Sequence, residues 1–461
     1  MSETPNSATD SLNVLVIGIG WREHAIVHKL NQEKWIWEIH TLPVKPDTPP
    51  NPGILGEWVK IVNGNPKEAP LDIQNTAALI QYIRDKAIGL VVIGPEDPIC
   101  AGTADILRAA GIAVFAPNKE AAKLEWDKSY ADRFNKKHGI PAPKSETFDT
   151  QEEACQFLKF VSQYPIVIKY PGLAGGKGVT IAKNAEEAIA AIEKCFDGKT
   201  YNTEGAVMIQ EYLQGTEMSA FFFVDTKSRT IKYFSSAQDH KTRFETGYDG
   251  VNPMTWGMGT DSESPFERQP EVMERIHAIW EKFLAGLMAD GIEYQWAVFM
   301  GLMITPDGQP KMLEYNVRFG DPEIQSILAR MRSSLGNAMK ATAEGLGRLR
   351  DIVFDFHGKA LNLVLADPGY PGKAMTPGYT IKWLEKLDLT TWVIESGTRW
   401  DAEEKERLVS GGRVLWLVLT GDDDITFAEL NERALKEAKK ITFGDEKPGY
   451  RTDIGLGKDG V

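Results

Sequence analysis

Four glycines and two lysines lie between two apolar stretches in IKYPGLAGGKGV, residues 168–179. Gly172, Gly175, Gly176 and Gly178 let the backbone fold over a polyphosphate and turn its N–H groups inward. Lys169 and Lys177 add cationic donors to phosphate oxygens. The pattern is not the Walker one, because Gly178 and not Ser or Thr follows Lys177. A plain hairpin turn is the alternative, and lysine inside the glycine run weighs against it.

A second stretch, KMLEYNVRFGDPEIQ (311–325), spaces Glu314, Asn316 and Arg318 two apart. On a strand such residues share a face, so a carboxylate, an amide oxygen and a guanidinium converge. The two oxygens are hard ligands suited to magnesium carrying phosphate, and the guanidinium neutralises a transferring phosphoryl group. A solvated outer sheet face fits the spacing equally well. A third stretch, GIGWREH (18–24), begins like a dinucleotide turn with Gly18 and Gly20, yet Glu23 stands where the third glycine belongs and Trp21 follows Gly20.

The elements that must position these groups are readable. LNVLVIG, LVVIGPE and IAVFAP are apolar strands separated by the amphipathic helices REHAIVHKL, NTAALIQYIRDKAI and TADILRAAG. That alternation implies right-handed crossovers and a parallel sheet, with ligands beyond the carboxyl ends of the strands. GIGWREH and GPEDP (94–98) both fall at that edge. LPVKPDTPPNPG (42–53), dense in proline, reads as a surface loop without helix. KLEWDKSYADRFNKKHGIPAP reads as one helix ending at Gly139. Strands and helices then continue to about 352 in an α+β order, and 353–461 carries short strands and two amphipathic helices.

The 461 residues hold 52 basic and 65 acidic side chains, a net charge of −13, which argues against a nucleic-acid surface. No apolar run is long enough to span a membrane, and residues 1–11 read as a polar, frayed tail without the core of a signal peptide. Three scattered cysteines form neither a disulfide framework nor a zinc motif, so each is expected to be a small buried hydrophobe in a reduced, cytoplasmic setting.

Together these segments resemble the ATP-grasp superfamily of carboxylate–amine ligases, most closely the phosphoribosylamine–glycine ligase family of purine synthesis. The likeness runs through VLVIGIGWREHA, VVIGPEDPI, KLEWDKSYADRF, VIKYPGLAGGKGV, IQEYLQGTEMS, AQDHK, EYNVRFGDPEIQ, GYPG (369–372), GGRVL and YRTDIG. It implies an α/β protein: a Rossmann-like parallel-sheet domain (12–118), an ATP-grasp domain (119–352) with a lid at about 135–206, and a small α+β C-terminal domain (353–461). By the same likeness Lys128 and Lys169 are the ATP-site lysines, and 172–178 is the glycine-rich lid. Backbone around Glu211 and Leu213 reads adenine, and Glu217 binds ribose. Glu314 and Asn316 hold magnesium or manganese, and Arg318 lies beside the reacting phosphates. Asp239, His240 and Lys241 line the site of acyl transfer.

The resemblance breaks at the acceptor side, where Gly18, Gly20, Trp21, Arg22, Glu23, His24, Glu96, Asp321 and Glu323 are expected. The family has glycine at Trp21, a different loop in place of 42–53, and GPNTGGMG where this chain has NPMTWGMG (252–259). The expectation is a ligase for small-molecule amine and amino-acid substrates, monomeric or homodimeric, with a reshaped acceptor pocket in which Trp21 narrows or stacks against what enters. A relative ligating a different pair, a non-catalytic nucleotide-binding protein and a nicotinamide oxidoreductase are the competing readings.

Overall fold

The computed structural model describes residues 11–46, 48, 51–55, 61–63, 71–172, 178–200, 205–248, 252–372, 378–388 and 390–456. Residues 1–10 of the expected N-terminal tail (1–11) and Gly175, Gly176 and Lys177 of the glycine run lie outside these residues.

Five parallel strands open the chain in the spatial order Ile61–Asn63, Ile36–Leu42, Leu12–Ile17, Ile88–Ile93, Val114–Pro117. The order reverses direction between the strands Leu12–Ile17 and Ile88–Ile93, and a ligand crevice forms at such a switch point. Gly18 and Gly94 follow those two strands, and the Gly94 N–H donates to Ile17 O at 3.1 Å. The sheet does not end there. Val114–Pro117 pairs antiparallel with Tyr294–Ile304, and the antiparallel strands Thr216–Asp225, Thr230–Asp239, Gly259–Ser262, Lys359–Ala366, Arg413–Gly421 and Trp392–Glu395 follow. With Pro310–Asn316 paired to Tyr294–Ile304, one 13-stranded sheet spans the molecule.

An aromatic cluster seals the junction. Phe115 lies 4.1 Å from Trp296 and 5.2 Å from Phe223 between ring centroids, and Phe319 packs on both of them. Aromatic groups of this size each bury roughly 150–250 Å². A separate four-stranded antiparallel sheet (Ser145–Phe148, Val207–Glu211, Ile166–Lys169, Val179–Ala182) carries the helices Gln151–Leu158 and Ala185–Phe196 on its buried face. Among the described residues no helix is long and apolar enough to cross a membrane.

Several sequence expectations are corrected. The stretch at 119–139 is two helices, Lys119–Trp126 and Lys128–His138. Asp127 between them is extended, and its side chain accepts from Tyr130 N, which starts the second helix. The proline-rich stretch enters a short helix at Pro52–Leu55, with proline at a first-turn position where its missing N–H costs nothing. Asn51, Pro52 and Ile54 there are buried, so this end is no surface loop. The C-terminal region has one α-helix among the described residues, Phe427–Ala438, and its two central strands are eight and nine residues long. Cys195 is buried as expected, whereas Cys100 and Cys155 are partly exposed.

Candidate active site

At one end of the site, short elements bring three lysines together near two carboxylates, Glu217 and Glu314. Lys128 is the first residue of its helix, and its backbone N donates to Pro171 O at 2.9 Å. Its ammonium donates to Gly172 O at 3.0 Å, so Lys128 grips the entry to the glycine run. Lys169 ends the strand Ile166–Lys169 and reaches Leu313 O at 3.5 Å. Lys241 pairs with Glu217 at 2.6 Å. Glu314 lies within electrostatic reach of these three cations without a close ion pair to any of them, opposite Gly301, where a Cβ would come within 3.0 Å of its Cγ.

The charges set each other. Burial works against ionisation of Glu314, but Lys241, Lys169 and Lys128 outweigh it and hold the carboxyl below its usual range. Burial lowers the Lys169 ammonium to about 8 despite Glu314 nearby, and lowers Lys128 as well. Burial opposes the Lys241 charge too, yet Glu217 and Glu314 raise it. Asn316 Nδ2 lies 3.4 Å from Glu314 Oε1, and Arg318 donates to Asn316 Oδ1 at 2.8 Å. The three alternating residues therefore do converge, although the ladder slips between Met312 and Glu314 and the strand ends at Asn316.

The small sheet faces this cluster with an apolar edge that the sequence reading missed. Lys169 is paired with Val179 and Val167 with Ile181, so all four share one face. Val179 and Ile181 are 43% and 50% exposed. Exposed β-branched residues beside a half-buried lysine suit a flat heterocycle. Glu211 Oε1 accepts from Lys144 N at 2.9 Å, and Leu213 follows it just beyond the strand.

The other end is built of arginines already matched to carboxylates. Arg22 makes a bidentate pair with Glu96, at 3.0 and 3.1 Å. Glu96 Oε1 also lies 2.7 Å from Arg318 Nε, which is 3.0 Å from Glu125. Burial opposes the Glu96 charge, but Arg22 and Arg318 hold its carboxyl far below the ordinary range. Glu125 was not anticipated; its only sequence signal is a carboxylate three residues before Lys128.

The opening turn is explained by Glu23. Its Oε2 accepts from Gly20 N at 2.8 Å, and Oε1 is buried without a hydrogen-bond partner among the described residues. A Cβ at Gly18 would stand 2.7 Å from Glu23 Cγ, and one at Gly94 would stand 2.0 Å from Oε1. The glycines make room for this side chain, and burial raises its carboxyl above the usual value. His24 is buried, and its Nδ1 lies 3.0 Å from Glu395 N, from which it accepts, and 3.3 Å from Glu395 O. Asn51 donates to Ile19 O and Glu395 O, so the turn and the former loop clasp the strand Trp392–Glu395.

Between the two ends, Asp239, Asp321 and Glu323 are all raised, in each case first by burial. Glu323 accepts from Ser219 at 2.9 Å, and Asp321 from Gln325 and Arg413. His240 pairs with buried Asp261 at 2.9 Å, and its backbone N–H donates to Gly259 O. Trp21 turns its ring to Trp416.

A parallel sheet with two ligand turns at its switch point, fused to an antiparallel sheet and a small lysine-bearing one, is the ATP-grasp fold. The biotin carboxylase domain of Hydrogenobacter thermophilus 2-oxoglutarate carboxylase, solved with MgADP, ADP and bicarbonate, shares it. The TM-score is 0.66 over 95% of this chain and 91% of that one, at 14% identity. The chain belongs to the phosphoribosylglycinamide synthetase family, whose N, ATP-grasp (A) and C domains match residues 12–125, 126–324 and 360–457. This is a family of ADP-forming ligases of purine biosynthesis.

The phosphoribosylamine–glycine ligase of Agrobacterium fabrum is 38% identical over 446 residues, covering 96% of this chain and 98% of that protein. The Thermotoga maritima phosphoribosylamine–glycine ligase superposes with a TM-score of 0.78 at 31% identity, over 96% of this chain and 100% of that one. The trifunctional purine biosynthetic protein adenosine-3 of Drosophila melanogaster is 37% identical over 96% of this chain, which spans only 32% of that longer protein.

Proposed function

We propose that this chain joins glycine to phosphoribosylamine with ATP, giving glycinamide ribonucleotide, ADP and phosphate. The observation that carries the reading is Glu314 within electrostatic reach of Lys128, Lys169 and Lys241, with Asn316 and Arg318 alongside. A carboxylate is a poor electrophile. Phosphoryl transfer to its oxygen breaks the terminal P–O bond of ATP and forms an acyl phosphate; the amine then attacks the acyl carbon and phosphate leaves.

The protein's own residues serve that sequence. Lys128 and Lys169 neutralise the phosphate chain, and Val179 and Ile181 cover the adenine beside backbone at 211–213. Glu217 takes the ribose. Arg318 offsets charge on the transferring group. Lys241 neutralises the acyl phosphate, while Asp239, Asp321 and Glu323 receive amino groups. Arg22 and Glu96 stand at the phosphoribosyl side. His240, paired with Asp261, orients the strand end; we assign it no proton transfer. Exclusion of water by the lid protects the acyl phosphate from hydrolysis.

Glu314 and Asn316 fit magnesium or manganese: both donors are hard oxygens, and among the described residues no set of three or more His, Cys, Asp or Glu side chains forms a complete protein cage. That matches a cation held largely by substrate phosphates. When bound, it supplies charge neutralisation for the transferring phosphoryl group.

The test is ADP release with ATP and magnesium against a panel of amines and amino acids. Turnover that requires phosphoribosylamine and glycine supports the assignment. ADP release with another pair replaces it with a relative of different acceptor choice, and nucleotide binding without any turnover replaces it with a non-catalytic protein.

A further inference from the structure

Trp21 occupies the first position of the helix Trp21–Asn31 and is half-buried. Its indole stacks on Trp416, with ring centroids 5.3 Å apart and planes at 27°. Trp416 is fully buried on the strand Arg413–Gly421. The guanidinium carbon of Arg413 lies 4.9 Å from the Trp21 ring and 5.3 Å from the Trp416 ring, within cation–π reach of both. The same guanidinium donates through Nη1 to the carbonyls of Trp256 and Gly257, at 2.8 and 3.1 Å. Through Nη2 it donates to Asp321 at 2.5 Å. Gly257 packs so closely on Asp239 that a Cβ would stand 2.7 Å from its Oδ1.

One cation thus ties an indole of the opening turn to the 256–257 turn and to a carboxylate of the central cluster. Those are two of the three places where the chain departs from its family's motifs. Without the Trp21 ring, water would reach Arg413 from that side. The effective dielectric around its pair with Asp321 would rise, and the guanidinium would gain rotamer freedom.

We propose that Trp21 is a positioning residue for the acceptor side: it covers and fixes Arg413, and through Arg413 it sets where Asp321 and the 256–257 turn stand. It does this without touching substrate. The inference rests on the proposed function, which puts Asp321 beside the amino groups.

The test is steady-state kinetics of wild type, Trp21→Gly, Trp21→Phe and Trp21→Leu, varying ATP, glycine and phosphoribosylamine in turn. Trp21→Gly should raise KM for glycine or phosphoribosylamine about tenfold while KM for ATP stays within about twofold. Trp21→Phe, which keeps a ring face, should restore most of the loss, and Trp21→Leu, which keeps an apolar side chain without a ring face, should not. On an Arg413→Lys background the Trp21→Gly change should add little, because coupled residues are not additive. If Trp21→Gly does not fold, the Phe-against-Leu contrast still decides. Unchanged acceptor KM values, or full additivity with Arg413→Lys, overturn this inference alone. A wild-type protein inactive with glycine and phosphoribosylamine overturns the functional reading and this inference with it.

Discussion

The two ends of the cleft solve opposite electrostatic problems. Around Glu314, the cations Lys128, Lys169 and Lys241 are offset chiefly by that carboxylate and Glu217, with weaker influence from Glu125, Asp127 and Asp239. From the centre to the other end, Arg22, Arg318 and Arg413 face Glu96, Glu125 and Asp321 in close pairs, and Glu23, Asp239 and Glu323 are buried beside them. The first end carries surplus positive charge and suits a polyanion. The second carries surplus carboxyl groups that burial pushes toward the neutral form, and it suits groups arriving as amines. A reaction that draws phosphate from one side and nitrogen from the other needs this asymmetry.

The comparison breaks most sharply at Glu314. Glu314→Ala removes the carboxylate that all three lysines share and one of the two proposed oxygen donors for the cation. Turnover measured as ADP release should fall by about three orders of magnitude. Retention of more than about a tenth of the activity would place phosphoryl transfer elsewhere, since a group that stabilises the transition state by several kcal/mol cannot be lost at so small a cost.

Much of this was legible in the chain. Strand–helix alternation placed both ligand turns at the sheet edge, and the alternation of Glu314, Asn316 and Arg318 placed them together. What escaped depends on contacts distant in sequence. Nothing near Val114–Pro117 signals that it pairs with Tyr294–Ile304 and makes one sheet of two. The burial of Asn51 and Ile54 comes from docking against a strand more than three hundred residues later. Asp127 interrupts what reads as one amphipathic helix, because its side chain satisfies Tyr130 N better as a cap than as a helical residue. The opening turn kept its two glycines for Glu23 and not for a ligand alone, and only the Cβ positions reveal that.

A smaller effect sharpens the contrast at the nucleotide end. Burial lowers Lys169 to about 8 in the protein without nucleotide. Phosphate binds the charged form, so nucleotide affinity should be constant below pH 7 and weaken as pH rises through 8, by up to about tenfold per pH unit. Titration calorimetry with ATP across pH 6.5–9.5 (about one and a half units to either side of the shifted value) measures it. Lys169→Arg keeps the charge over the whole range and should flatten the dependence. An equally steep profile in that variant would assign the titration to another group.

The acceptor end also contains a group whose proton affinity burial depresses, but there the consequence is stability. His24 is lowered to about 3, first by burial, while it accepts from Glu395 N. In the unfolded chain an imidazole titrates at about 6.5. Between these values the unfolded state binds more protons than the folded one, so the His24 contribution is complete above pH 6.5 and is lost as pH falls. The loss should approach about 1.4 kcal/mol per pH unit on the acid side. Buried carboxyls add acid slopes of their own, so the informative quantity is the difference between wild type and His24→Gln, which retains an acceptor oxygen but cannot titrate. Urea unfolding from pH 7 down to pH 5 should show the two curves converging as acid is added, the variant starting lower and falling less. Parallel curves would mean that the imidazole titrates alike in both states, and that the clasp on the strand Trp392–Glu395 does not hold it neutral.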